Sequence, residues 1–177
     1  TKLVDTDGDR SADVDETIYA WPLSTHYHEY SFGPVLAPDD SFFVTANVAF
    51  GSEEWWRGES RVPWRGWTMK IYEDGRMEPW ATGMRSPAGY GLINDELFYT
   101  DNQGAWNGTS CIKPLKQGAF TGNPTGNVFY KDAPNMGKRP LDPINKSRIV
   151  TQAERIPEYM PPAIQIPHGI VGQSPTA

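Results

Sequence analysis

Three groups of residues have the types and spacing to do chemistry. In the first, Asp5, Asp7, Asp9, Asp13 and Glu16 place carboxylates at positions 1, 3, 5, 9 and 12 of a twelve-residue loop, with Ser11 among them. An EF-hand-type loop wraps one calcium ion with that spacing. Counting Asp15, six carboxylates crowd into these residues, and they repel one another unless a cation neutralises them. Position 6 is Arg10 where such loops place glycine, and the flanks read as strands. The competing reading is a solvated acidic turn.

The second group is Arg85 and Ser86, in the stretch GMRSPAG, together with Gln103, Gly104 and Ala105, in TDNQGA. An arginine beside a glycine turn can hold a carboxylate or quinone oxygen through a two-pronged hydrogen bond. The Gly104 and Ala105 carbonyls are of the type that ligates hard cations. Equally, Arg85 can pair with Asp101 and simply brace two loops. The third group is His26, His28 and Glu29. In an extended segment His26 and His28 share a face, and a histidine titrating near neutrality suits a general base taking a proton from a hydroxyl. A zinc or copper pair lacks a third ligand, and two backbone-bonded core histidines remain the plain alternative.

These groups must be positioned by a repeated scaffold. Residues 33–47 read GPVLAPDDSFFVTAN and residues 89–102 read GYGLINDELFYTDN. With one residue dropped, Gly33 aligns with Gly89, Leu36 with Leu92, Asp40 with Asp95, Phe43 with Phe98, and Asn47 with Asn102. Each copy reads as an apolar strand, an acidic turn and an aromatic strand. Spacing of about fifty-five residues predicts a stacked or radial β architecture. Strands are expected over 3–4, 17–20, 32–36, 42–47, 67–72, 77–81, 89–93, 97–100, 111–115 and 163–166, with a hairpin turn at Asp74-Gly75. Pro157 limits one short helix near 147–158.

About four strands per repeat predict propeller blades. The expected fold is therefore all-β: two or three four-stranded blades of a β-propeller, spanning 1–177 as part of one domain. Two insertions, 51–65 and 127–162, interrupt it. Two or three blades do not close a ring, and PHGI at 167–170 resembles a third start of the phrase, so the chain reads as a piece of a longer polypeptide.

Sixteen Lys and Arg against 22 Asp and Glu give a net charge of −6. No basic patch is available to displace counterions, which argues against a nucleic-acid partner. No apolar run approaches the roughly 20 residues that span a bilayer. A single cysteine, Cys111, excludes an internal disulfide and reads as a buried strand residue. Trp55, Trp56, Trp64 and Trp67 suit either sugar stacking or packing of the first insertion. Asn107 and Asn145 head glycosylation triplets.

GMRSPAG, a strand and then DNQGAWNGTSCIKPLKQGAFTGNP together resemble a blade of the soluble glucose/sorbosone (aldose sugar) dehydrogenase propellers. HYHEYSFGPVLAPDDSFFVTAN resembles their histidine-bearing blade. The DTDGD loop, WRGW and PHG segments are most similar to large bacterial propellers described as membrane-bound dehydrogenases, often fused to c-type haem domains. The resemblance implies a six- or seven-bladed ring holding pyrroloquinoline quinone (PQQ) and calcium near the channel mouth. It implies an exported protein, periplasmic or extracellular, that oxidises a sugar or other alcohol and passes electrons to a c-type cytochrome domain. Carried across, His28 is the base and Arg85 the quinone-facing arginine. The Gly104 and Ala105 carbonyls are then the calcium ligands. Ser86, standing where the family has asparagine, joins Gln103, Gly104, Ala105 and His168 around the cofactor, and His26 or Glu29 is the alternative counterpart of the base. The other reading is a non-catalytic, calcium-stabilised propeller serving as a binding or assembly module.

Overall fold

The computed structural model describes residues 1–23, 30–48 and 62–174. The chain is mostly β-sheet, in three antiparallel sheets. A hairpin of β1 (Lys2–Val4) and β2 (Val14–Glu16) carries the acidic loop at its tip. Next comes a four-stranded sheet of β3 (Ser31–Leu36), β4 (Phe42–Ala46), β5 (Trp67–Ile71) and β6 (Met77–Thr82), paired in chain order. A second sheet pairs β7 (Pro87–Ile93), β8 (Glu96–Asp101), β9 (Ser110–Pro114) and β10 (Ile164–Ile166), also in order.

The repeated phrase folds the same way twice. Leu36 faces Phe42 and Val35 faces Phe43 in the first sheet, as Leu92 faces Leu97 and Gly91 faces Phe98 in the second. Both copies slip register at the aligned glycine, between Phe32 and Val35 and between Pro87 and Tyr90. Such a bulge bends the strand and increases its twist. At Gly33 it leaves no room for a side chain, since a Cβ would lie 2.7 Å from the Phe43 carbonyl oxygen. The acidic turns take left-handed conformations at Asp40, Asn94 and Asp95, which short polar side chains tolerate best. The expected Asp74-Gly75 turn does join β5 to β6.

The sheets pack face to face. Phe43 and Ala81 of the first, with Ala37 and Met84 beside it, meet Leu97 and Tyr99 of the second, and Leu115 and Ala119 complete the layer. The first strands, β3 and β7, lie against each other, with Phe32 and Tyr90 in ring contact at 6.3 Å. The other face of the first sheet, Val44, Ala46, Met69 and Ile71, is covered by Ile18, Tyr19 and Trp21.

That cover corrects one expected strand. Residues 17–20 form no strand, and strand pairing occurs three residues earlier, in β2. Ile18 and Tyr19 offer apolar side chains to a sheet face and add no hydrogen-bonded edge. The expected helix near 147–158 is a short 3₁₀ turn, Ile149–Gln152, followed by irregular turns. Two further 3₁₀ segments, Pro124–Asp132 and Pro134–Met136, have no sequence period to announce them. They carry Tyr130, Ala133 and Met136 into a buried cluster with Trp67, and the Trp67 indole donates to the Gly126 carbonyl at 2.8 Å. Part of the 127–162 stretch is thus core. Of the four tryptophans weighed for sugar stacking, Trp67 is fully buried and Trp64 meets it edge-on at 5.6 Å, so both are packing residues. Trp55 and Trp56 lie outside the described residues.

Candidate functional site

The second copy of the phrase holds a polar centre in the core. Asp101, the last residue of β8, is fully buried. Its carboxylate accepts the backbone N–H of Ser86 at 2.9 Å and that of Arg85 at 3.4 Å, tying the 83–86 loop to the strand. It also accepts the Tyr99 hydroxyl at 3.0 Å and the Lys113 ammonium at 3.2 Å. Lys113 donates in addition to the Thr121 carbonyl at 3.0 Å, and the Tyr99 and Thr121 hydroxyls share a 2.8 Å hydrogen bond. Burial pulls the Lys113 pKa down most strongly, but the Asp101 charge and hydrogen bond, together with Cys111 and Tyr159, hold the ammonium above the usual lysine value. Removing one member of such a buried pair is costly, and here Asp101 and Thr121 take two of the three ammonium donors.

Asp101 therefore does brace the two loops, with a different cation from the one expected. Its charged partner is Lys113, whereas Arg85 contributes its backbone N–H and holds a half-buried guanidinium against Ser86 and Gly104. That guanidinium donates to the Ser86 hydroxyl at 3.1 Å and packs directly over Gly104. A Cβ at residue 104 would lie only 2.0 Å from Arg85 Nε, so any other residue there would displace the guanidinium. Burial lowers the Arg85 pKa, against the opposing pull of Asp101.

The turn below is tight: Gly104 and Asn107 exchange backbone hydrogen bonds at 2.8 and 3.0 Å, and the Asn107 amide donates to the Asn102 carbonyl at 2.6 Å. Of the two triplet asparagines, Asn107 is buried with its amide committed to Asn102, whereas Asn145 is exposed. The Gly104 carbonyl accepts from the Asn107 N–H and the Ala105 carbonyl from the Asn123 amide, at 3.0 and 3.4 Å. Gln103, Gly104 and Ala105 line one wall of a cleft of about 330 Å³, opposite residues 145–147. Cys111 is buried in β9 as expected, and burial raises its thiol pKa.

The structure thus brings Arg85, Ser86 and Gly104 together, with Gln103 and Ala105 adjoining. His168 sits exposed on the 167–172 turn after β10, which is docked to the 102–110 loop by the Ser110 hydroxyl donating to the Gln173 carbonyl at 2.8 Å. His26, His28 and Glu29 lie outside the described residues.

In the acidic loop, Asp5, Asp7 and Asp13 bring ligand oxygens within 4.8 Å of one another. Asp5 accepts the Arg10 and Gly8 N–H groups, and Asp13 the hydroxyl and N–H of Thr6, which lowers both carboxyl pKa values. Arg10, at the position where calcium loops place glycine, adopts φ of 76°, the left-handed turn that glycine would supply. Asp9 accepts the Ser11 N–H, and Glu16 lies in β2 opposite Lys2; neither they nor Ser11 belong to the convergent group. Lys2 pairs with Glu73 and ties the hairpin to the β5–β6 turn.

The fold defines a class, antiparallel β-sheets of repeated phrase stacked face to face, with polar chemistry gathered at one loop end of the second. Compared with known protein families, curated proteins and solved structures, the chain matches none.

Proposed function

We propose that the two four-stranded sheets are successive blades of a β-propeller and that the end carrying Arg85 and the 102–109 turn is a ligand mouth. Three features support the propeller: the same bulged phrase in both sheets, contact between their first strands, and stacking of one sheet's face on the opposite face of the next. The reading of activity follows the resemblance: a calcium-requiring, PQQ-dependent dehydrogenase of a sugar or other alcohol, exported, with a c-type cytochrome domain as electron acceptor and further blades completing the ring.

One observation carries it: Arg85 is held by its own backbone, through Asp101, with its guanidinium over a glycine turn beside an open cleft. The groups present fit an anionic or quinone oxygen at that place. Arg85 would hold it, with Ser86, Gln103 and the Gly104–Ala105 backbone around it. PQQ, when bound, supplies the hydride acceptor for an alcohol carbon. His28 would take the hydroxyl proton, and Asp5, Asp7 and Asp13 would hold a separate, structural calcium away from that mouth. The carbonyls of Gly104 and Ala105 fit a cation less well, since each already accepts a hydrogen bond. The test uses the full-length protein, supplied with PQQ and calcium, and follows sugar-dependent dye reduction. Binding and turnover are expected, both lost in Arg85→Ala; absence of both from the parent protein ends the dehydrogenase reading.

A second reading, a calcium-stabilised binding module without catalysis, is favoured by the Asp101–Lys113 centre, whose contacts all serve to fix loops. Its signature is a calcium-dependent rise in melting temperature, abolished by Asp7→Ala, with no turnover.

A further inference from the structure

A larger cleft, of about 550 Å³, opens between the outer strands β9–β10 and residues 147–162. It shares Gly104, Trp106 and Ser147 with the smaller cleft but contains neither Arg85 nor Ser86. Its size falls in the range that small-molecule sites occupy. Two cations line it, Lys113 and Arg148, and no carboxylate does. In a chain with a net charge of −6, that is a local reversal of sign.

The two cations differ in kind. Lys113 is 2% exposed and belongs to the cleft's floor with Cys111. An ammonium has three donors; Asp101 and Thr121 take two, and the third is left on the Cys111 side. Arg148 stands exposed at the rim with no carboxylate partner among the described residues. Because Asp101 lies behind Lys113 and balances it, the unbalanced charge facing the cleft is that of Arg148. The rest of the lining is amphipathic, with Trp106, Tyr159 and Val150 offering apolar surface. Cation at the rim, polar floor and aromatic walls together suit a ligand with one anionic end and a flat apolar body.

We propose that this cleft binds a small organic acid, its carboxylate paired with Arg148 and its apolar body against Trp106 and Tyr159. The inference stands apart from the quinone reading, because it uses neither Arg85 nor calcium. Phenylacetate is a suitable probe, and phenylacetamide has nearly its shape without its charge. Binding is followed in the full chain by the NMR signal of the Trp106 indole N–H, assigned with Trp106→Phe. Phenylacetate is expected to shift that signal saturably and phenylacetamide to bind about tenfold more weakly or less, as loss of a charge-assisted hydrogen bond implies. Arg148→Glu, a change at an exposed position that leaves the fold intact, is expected to weaken phenylacetate by about tenfold or more. Equal binding of acid and amide, undiminished binding by Arg148→Glu, or no response of the Trp106 signal to phenylacetate would each overturn the proposal.

Discussion

The two copies of the phrase share a backbone and differ in what they bury. In the first sheet, Val44 pairs across from Met69 and Ala46 from Trp67. In the second, the matching pairs are Tyr99 with Lys113 and Asp101 with Cys111. The same register positions hold an apolar seam in one sheet and an ion pair with its hydrogen-bonded neighbours in the other. The rims differ as well. Beside the acidic turn of the first sheet, Lys70 donates to Asp39 at 2.6 Å; in the second, Pro114 stands at the position of Lys70 and Asn94 precedes Asp95. The second sheet keeps an exposed pair of its own, Lys116 with Glu96 at 3.5 Å, and adds the buried pair that the first sheet lacks among the described residues. The phrase specifies a scaffold, and its polar variation specifies which loop end is fixed in place: the one carrying Arg85.

The largest expected effect comes from breaking the buried centre. Asp101→Ala strands the Lys113 charge and leaves the Tyr99 hydroxyl and two N–H groups without their acceptor. A loss of about 3–5 kcal/mol follows from removing one member of a buried pair, measured by urea denaturation. The double variant Asp101→Ala/Lys113→Met should recover a substantial part of that loss, because the unpaired charge goes with its partner. If the single and double variants are equally unstable, the pair is not the unit that distinguishes the second sheet.

Next in size is the aromatic that the copies share. Phe43 is 5% exposed and meets Trp80 at 5.0 Å between the sheets, whereas the aligned Phe98 is half-buried on the outward face of the second sheet. Phe43→Ala should cost about 3–4 kcal/mol and Phe98→Ala about 1 kcal/mol. Equal costs in the full-length protein would mean that the outward face is covered there as Phe43 is covered here, which would sharpen the propeller reading.

Much of this was legible in the sequence, for definite reasons. Strands such as Phe42–Ala46 and Glu96–Asp101 follow from aromatic and β-branched runs that begin at acidic turns, and the repeat announced both inner hairpins. The Ile18–Tyr19 stretch misled because an apolar pair looks alike whether it joins a sheet or covers one. The Pro-rich 124–136 region has no period, so its burial against Trp67 depended on tertiary contact alone. The partner of Asp101 was missed because Lys113 lies twelve residues away on the neighbouring strand, a contact that only register reveals. One signal was available: an aspartate where the other copy has alanine, two residues from Tyr99 on one face of a strand. Arg148 gave no signal, since its place in the cleft comes from an irregular turn folding over β9.

The smallest expected effect tests the rim. Hydrogen bonds from Lys70 and Ser41 hold the Asp39 carboxyl pKa down, to about 2. A folded pKa below the unfolded value of about 4 means the pair stabilises the fold above that unfolded value. The contribution is lost as pH falls from about 4 towards 2, when the carboxyl protonates in the folded state too. Asp39 is exposed, so solvent screens the interaction and the effect is small. Melting temperatures of the parent and Asp39→Asn should differ slightly at pH 6 and converge as pH approaches 2. The matching change in the second sheet, Asn94→Ala, meets no lysine across the strand and should add no pH dependence in that interval. If Asp39→Asn shows the full acid dependence of the parent, Lys70 is held by the rings of Phe43, Tyr72 and Trp80, which lie 5.1–5.7 Å from its ammonium, and the charge contrast between the two sheets narrows to the buried pair.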